Sequence, residues 1–131
     1  PLHPYPADYH ETTELAQKEL QDNARPELAG SPCPVERYDI VYLGYPIWWG
    51  VMPMPVLTFL EQYDFSGKTV IPFCTHEGSG MGDSVAYIRR SCPGARVLDG
   101  LALYGSRCDR SDDEIRAWLD KAESALKVSG A

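Results

Sequence analysis

The 131-residue chain has no apolar run that approaches the roughly 18 residues a membrane-crossing helix needs. Its first residues, PLHPYPADYH, carry neither the positive charge nor the apolar stretch of a secretory leader. A soluble, cytoplasmic protein with no membrane partner is therefore expected. Cationic side chains are scarce: 12 Lys and Arg against 19 Asp and Glu leave a formal net charge of −7, which opposes non-specific attachment to nucleic acid or anionic lipid. A partner with a basic face is the better match. Cysteine is limited to Cys33, Cys74, Cys92 and Cys108, with no C-x-x-C pair, so clustered zinc or iron–sulfur ligation and a disulfide framework both lack their usual signature. Reduced thiols and no metal site are expected. No repeat or low-complexity tract divides the chain, and its length suits one domain spanning residues 1–131.

What is present alternates between helical and extended patterns. Asp8 followed by Glu11 has the spacing of a helix start, and good helix formers continue to Ala24, so a first helix is expected over residues 8–24, ended by Arg25-Pro26. Residues 40–44 (IVYLG) suit a strand buried on both faces. Pro53 and Pro55 open a helix reaching about Tyr63. Residues 69–75 (TVIPFCT) form the next strand, in which Pro72 requires an edge, a bulge or a local break because it has no amide hydrogen. A short helix is expected over residues 83–91 and a third strand over 96–103. Ser111 with Glu114 then has capping-box spacing for a last helix over residues 111–126, with Ile115, Trp118, Leu119, Ala122 and Leu126 as its apolar stripe. The alternation predicts an α/β fold with a parallel sheet.

Two segments at strand ends look like more than connectors. Tyr45-Pro46-Ile47-Trp48-Trp49-Gly50 offers large flat apolar faces, and Thr75-His76-Glu77-Gly78-Ser79, continuing to Gly82, offers hydroxyls, an imidazole, a carboxylate and glycine amides. Together they suit a flat heteroaromatic ring with polar edges, with Trp48 or Trp49 stacking and the glycine loop hydrogen-bonding the rim. Each feature also has an ordinary structural reading. The indoles could fill the core, His76 could bond backbone, Glu77 could be solvated, and the acidic run 109–114 could sit at a helix N-terminus. Cys74 and His76 could share a strand face, but no third group orients them as a nucleophile pair.

The stretch YDIVYLGYPIWWGVMPMPVLTFLEQYDFSGKTVIPFCTHEGSGMG resembles the middle of a flavodoxin-like FMN-binding protein, and the likeness runs over about residues 1–126. It implies a three-layer sandwich around a parallel sheet, N-terminally truncated relative to that family. It also implies FMN as cofactor, with Pro46, Ile47, Trp48, Trp49 and Gly50 along one side of the isoalloxazine and Thr75, His76, Glu77, Gly78 and Ser79 at its pyrimidine end. The implied activity is electron transfer or flavin-dependent reduction, with redox partner proteins or small electron acceptors and no catalytic acid or base. The family's first strand and its Ser/Thr-rich phosphate loop have no counterpart in these residues. Two further expectations follow: an open edge on the strand at 40–44 that a second copy could cover, and an alternative role as an interaction module or fragment that holds no FMN.

Overall fold

The computed structural model describes residues 1–30 and 32–129. In it, α1 (Tyr9–Gln21) begins where Asp8 accepts a hydrogen bond from the Glu11 amide at 2.9 Å. It stops short of Arg25-Pro26, because Asp22 closes the last turn and Asn23 takes the left-handed conformation at φ 50°. β1 (Ile40–Pro46) leads to α2 (Met54–Gln62), which Pro53 caps and in which Pro55 occupies the first turn. β2 (Thr69–His76), α3 (Ser84–Ser91), β3 (Arg96–Val97), β4 (Leu101–Tyr104), a 3-10 turn (Gly105–Arg110) and α4 (Asp112–Ser129) complete the order.

Every pairing in the sheet is parallel, with β2 central, β1 on one side and both β3 and β4 on the other. Leu43, Tyr45, Val70 and Cys74 meet Leu57 and Leu60 of α2 and Ile88 of α3 in one core. α4 covers the opposite face, where Trp118 packs edge-on against Tyr42 and Phe73. These are three layers, as expected of an α/β flavodoxin-like sandwich. Among the described residues no helix is long and apolar enough to cross a membrane.

The structure corrects three sequence-based expectations. β1 is not buried on both faces: Leu43 and Tyr45 are buried, while Ile40 and Tyr42 stay exposed, α4 reaching Tyr42 only through the edge-on ring of Trp118. Its far edge pairs with nothing among the described residues. The expected third strand is two short ones, with residues 98–100 between them. That interruption lies opposite Pro72. Along β2 the Thr69 amide and Thr75 carbonyl bond to the β1 side, and the Val70 carbonyl to Leu98, so Pro72 faces the interrupted side, where no amide hydrogen is missed. Gly100 fits there because a Cβ would run into Met81 and the Pro72 carbonyl oxygen. The break that Pro72 requires therefore occurs in the neighbouring strand, not in its own. On α4 the apolar stripe is only partly covered: Ala122 is buried and Leu119 is exposed. Just before that helix, Ser111 donates its hydroxyl to the Arg107 carbonyl at 3.0 Å.

Candidate functional site

The two loops singled out by sequence leave the carboxyl ends of adjacent parallel strands, which is where open α/β sheets place their ligands. They are tied together by backbone. The Ile47 amide donates to the Thr75 carbonyl at 3.0 Å, and the Asp83 amide donates to the Gly50 carbonyl at 3.0 Å. Gly82, at φ 54°, lies so close that a Cβ on it would overlap the Gly50 carbonyl oxygen. These contacts join the two loops at Ile47 with Thr75 and at Gly50 with Gly82 and Asp83, while His76 between them is buried.

Within the first loop the chain reverses in a tight hairpin that sequence reading treated only as a loop. Trp48 and Val51 bridge, with the Trp48 amide donating to the Val51 carbonyl at 2.7 Å, and the two central residues are both left-handed, Trp49 at φ 57° and Gly50 at φ 82°. Turns of this hand favour glycine, and a tryptophan held there carries strain on the order of 1 kcal/mol. Trp49 is anchored by its indole Nε1–H, which donates to the Thr13 carbonyl of α1 at 2.9 Å, while the side chain stays half exposed. Trp48 meets the ring of Tyr5 edge-on at 5.2 Å. Burial, reinforced by its hydrogen bond to Glu19, raises the Tyr5 phenol above its ordinary pKa.

The two indoles and Ile47 form one wall of a cavity of about 340 Å³, and Tyr9, Thr12, Thr13 and Ala16 of α1 form the other. These α1 residues were missed by sequence reading, which took the segment only as a helix. The aromatic pattern Tyr5 and Tyr9 ahead of its apolar positions was the available signal. The Thr12 and Thr13 hydroxyls are spent on the carbonyls of Pro6 and Tyr9, and no Lys or Arg lines the cavity.

The second loop is built around His76. Its Nδ1 accepts from the amides of Gly78 at 2.9 Å and Gly80 at 3.1 Å, so the ring proton of the neutral imidazole resides on Nε2. These two amides are therefore not bare donors for a ligand, contrary to the sequence expectation. Thr75 and Ser79 remain exposed at the loop surface. Glu77 is not merely solvated: its carboxylate accepts from the Ser106 amide at 2.8 Å and the Ser106 hydroxyl at 3.3 Å, which pins the loop to the 3-10 turn after β4. Beneath it, the Tyr45 hydroxyl donates to Ser84 Oγ at 2.8 Å, and Ser84 donates to the Met81 carbonyl at 2.6 Å. Burial pushes the Tyr45 phenol up to about 12 although the Ser84 bond opposes it. Cys74 lies in the core with its thiol directed at the Gly80 carbonyl and Met81 Sδ, and burial raises its pKa. A buried thiol held neutral is a poor nucleophile.

Indole faces at the end of a parallel sheet, with the hydroxyl-bearing His76 loop joined alongside, fit a planar ring with polar edges; the indole cavity itself is lined by no residue from Thr75 to Ser79 and offers no cation for a phosphate. The flavodoxin family model matches residues 1–122. A candidate flavoprotein from Bacteroides eggerthii is similar in structure, with 34% identity and a TM-score of 0.76, the match covering 92% of this chain and 76% of that one. A candidate flavoprotein from Bacteroides uniformis has 32% identity and a TM-score of 0.74 over 88% and 77% of the two chains. A flavoprotein from Lactobacillus acidophilus, solved in complex with FMN, has 27% identity and a TM-score of 0.62 over 81% and 71%. No curated protein matches the chain.

Proposed function

This chain belongs to the flavodoxin family, and we propose that it binds FMN at the two joined strand-end loops and acts as a redox protein in electron transfer or flavin-dependent reduction. The observation that carries this reading is the joining of the indole hairpin to the His76 loop through Ile47 and Thr75 and through Gly50 and Asp83. Together with the solved relative in complex with FMN, it supports a site for the isoalloxazine. When bound, FMN supplies the redox chemistry, and the protein's part is to hold and tune it.

In this reading Pro46, Ile47, Trp48, Trp49 and Gly50 form the apolar side. Thr75, His76 and Ser79 supply donors toward the ring edge, Nε2–H being the donor left on His76, and Gly78 lets the loop turn closely. Glu77 adds negative charge to that loop, in an already acidic chain, and so disfavours an anionic reduced ring. No side chain is required as a catalytic acid or base. Half-exposed Trp49 leaves the site open at one side to a partner protein or a small electron acceptor. The four cysteines are unpaired, which suits the reducing cytoplasm.

After mixing with excess FMN and desalting, the purified protein is expected to be yellow and to retain close to one flavin per chain, with saturable quenching of tryptophan fluorescence during titration. A colourless protein with unquenched tryptophans would mean an interaction module built on this fold.

We also propose a second copy of the chain as a partner at the open edge of β1. The strand residues IVYLGYP carry no charge, so two chains of net charge −7 repel each other least there. Light scattering at micromolar concentration is expected to give a dimer, and Ile40→Lys a monomer. A monomeric parent protein removes this proposal.

A further inference from the structure

A second cavity, of about 390 Å³, opens between β4 and the start of α4 and is lined by Ala102, Tyr104, Arg107, Arg110, Ser111 and Glu114. We propose that it binds the anionic group, a phosphate or carboxylate, of a small molecule held beside the His76 loop. Arg107 and Arg110 are both exposed, and among the described residues neither forms an ion pair, although acidic side chains outnumber basic ones in this chain. The wall that carries them is ordered in advance. The Arg107 guanidinium lies over the Tyr104 ring at 4.2 Å, Ser111 bonds the Arg107 carbonyl at 3.0 Å, and Glu77 grips Ser106. A guanidinium stacked on an aromatic ring keeps its N–H edge for an oxyanion, and a second guanidinium three residues on allows a two-sided grip. Glu114 reduces the excess charge of the lining to one positive unit, so the cavity favours a compact anion over an extended acidic surface.

The cavity lies next to the second loop of the candidate flavin site, because the Tyr104 ring in its wall packs on His76 with 4.4 Å between centroids. The ring cavity beside Trp48 has no cation in its lining, whereas this one has two. The molecule's place in the redox reaction rests on the FMN reading above; anion binding by itself does not.

The test is an NMR titration of the full chain with inorganic phosphate, set against chloride at matched ionic strength. Saturable shifts are expected at the amides of Tyr104, Ser106 and Ser111 and at the Nε–H groups of Arg107 and Arg110. Arg107→Gln with Arg110→Gln should weaken them at least tenfold, with spectral dispersion unchanged. Shifts that chloride reproduces, or that survive the double substitution at equal affinity, overturn the site. Competition then identifies the source of the anion. Phosphate that displaces FMN but not riboflavin assigns the cavity to the flavin's own phosphate, and phosphate that displaces neither assigns it to a second small molecule. If neither flavin is retained while the phosphate shifts persist, the FMN reading fails and the anion site stands.

Discussion

A Gly82→Ala protein is expected to lose about 3 kcal/mol of folding stability and, with it, the retention of FMN. Two costs combine at this position. An alanine at φ 54° is strained by about 1 kcal/mol, and its Cβ would overlap the Gly50 carbonyl oxygen, a backbone atom that cannot rotate away. Relief requires the two loops to part, which breaks the Asp83 amide bond to that same carbonyl and exposes the joint between the indole hairpin and the His76 loop. Gly80→Ala is the control. Gly80 is also left-handed, at φ 64°, but a Cβ there meets nothing within 4 Å and its amide can still donate to His76. Its cost should be the strain alone, about 1 kcal/mol. Urea unfolding of both variants measures the difference. Equal losses would mean that the contact between the loops contributes nothing beyond backbone conformation.

Trp48→Ala is expected to weaken FMN binding about a hundredfold, equivalent to about 2.7 kcal/mol. The indole lines the ring cavity and supports Tyr5 edge-on, so truncation removes both a stacking face and the neighbour that holds the N-terminal segment against it. A ring pair contributes about 1 kcal/mol beyond buried area, and the lost apolar area accounts for the remainder. Trp49→Ala should lose less apolar contact, because that indole is half exposed. It also removes the bond to Thr13 and relieves a strained tryptophan conformation. Trp48→Phe should recover most of the affinity. Fluorescence and absorbance titrations give the ranking directly; an unchanged affinity in Trp48→Ala would place the flavin elsewhere on the molecule.

Several features were legible in residues alone because their causes are local. Asp8 with Glu11 starts α1, Pro53 and Pro55 start α2, and the glycine-rich stretch ends β2, each through hydrogen-bonding or dihedral constraints within a few residues. The two strand-end loops could be singled out because their composition is unlike that of ordinary connectors. The α/β alternation was available for the same reason, whereas the likeness to flavodoxins came from the resemblance of residues 38–82 to that family.

Other features depend on partners far away in sequence. Whether β1 is covered on one face or two is decided by where α4 lies. The split of the third strand was foreshadowed by Pro72 but belongs to residues 98–100, more than 25 positions later. The indoles could be recognised as a flat surface, yet that α1 forms the opposite wall follows from its packing. Likewise, the loop amides looked available until His76 Nδ1 was found to hold two of them. Sequence by itself determined the element types and the residues at the strand ends, because short-range backbone chemistry specifies these, and its resemblance to flavodoxins pointed to the family. Only the tertiary structure decided which of those groups are already satisfied and which face open space, because hydrogen bonds and close contacts between distant segments set that.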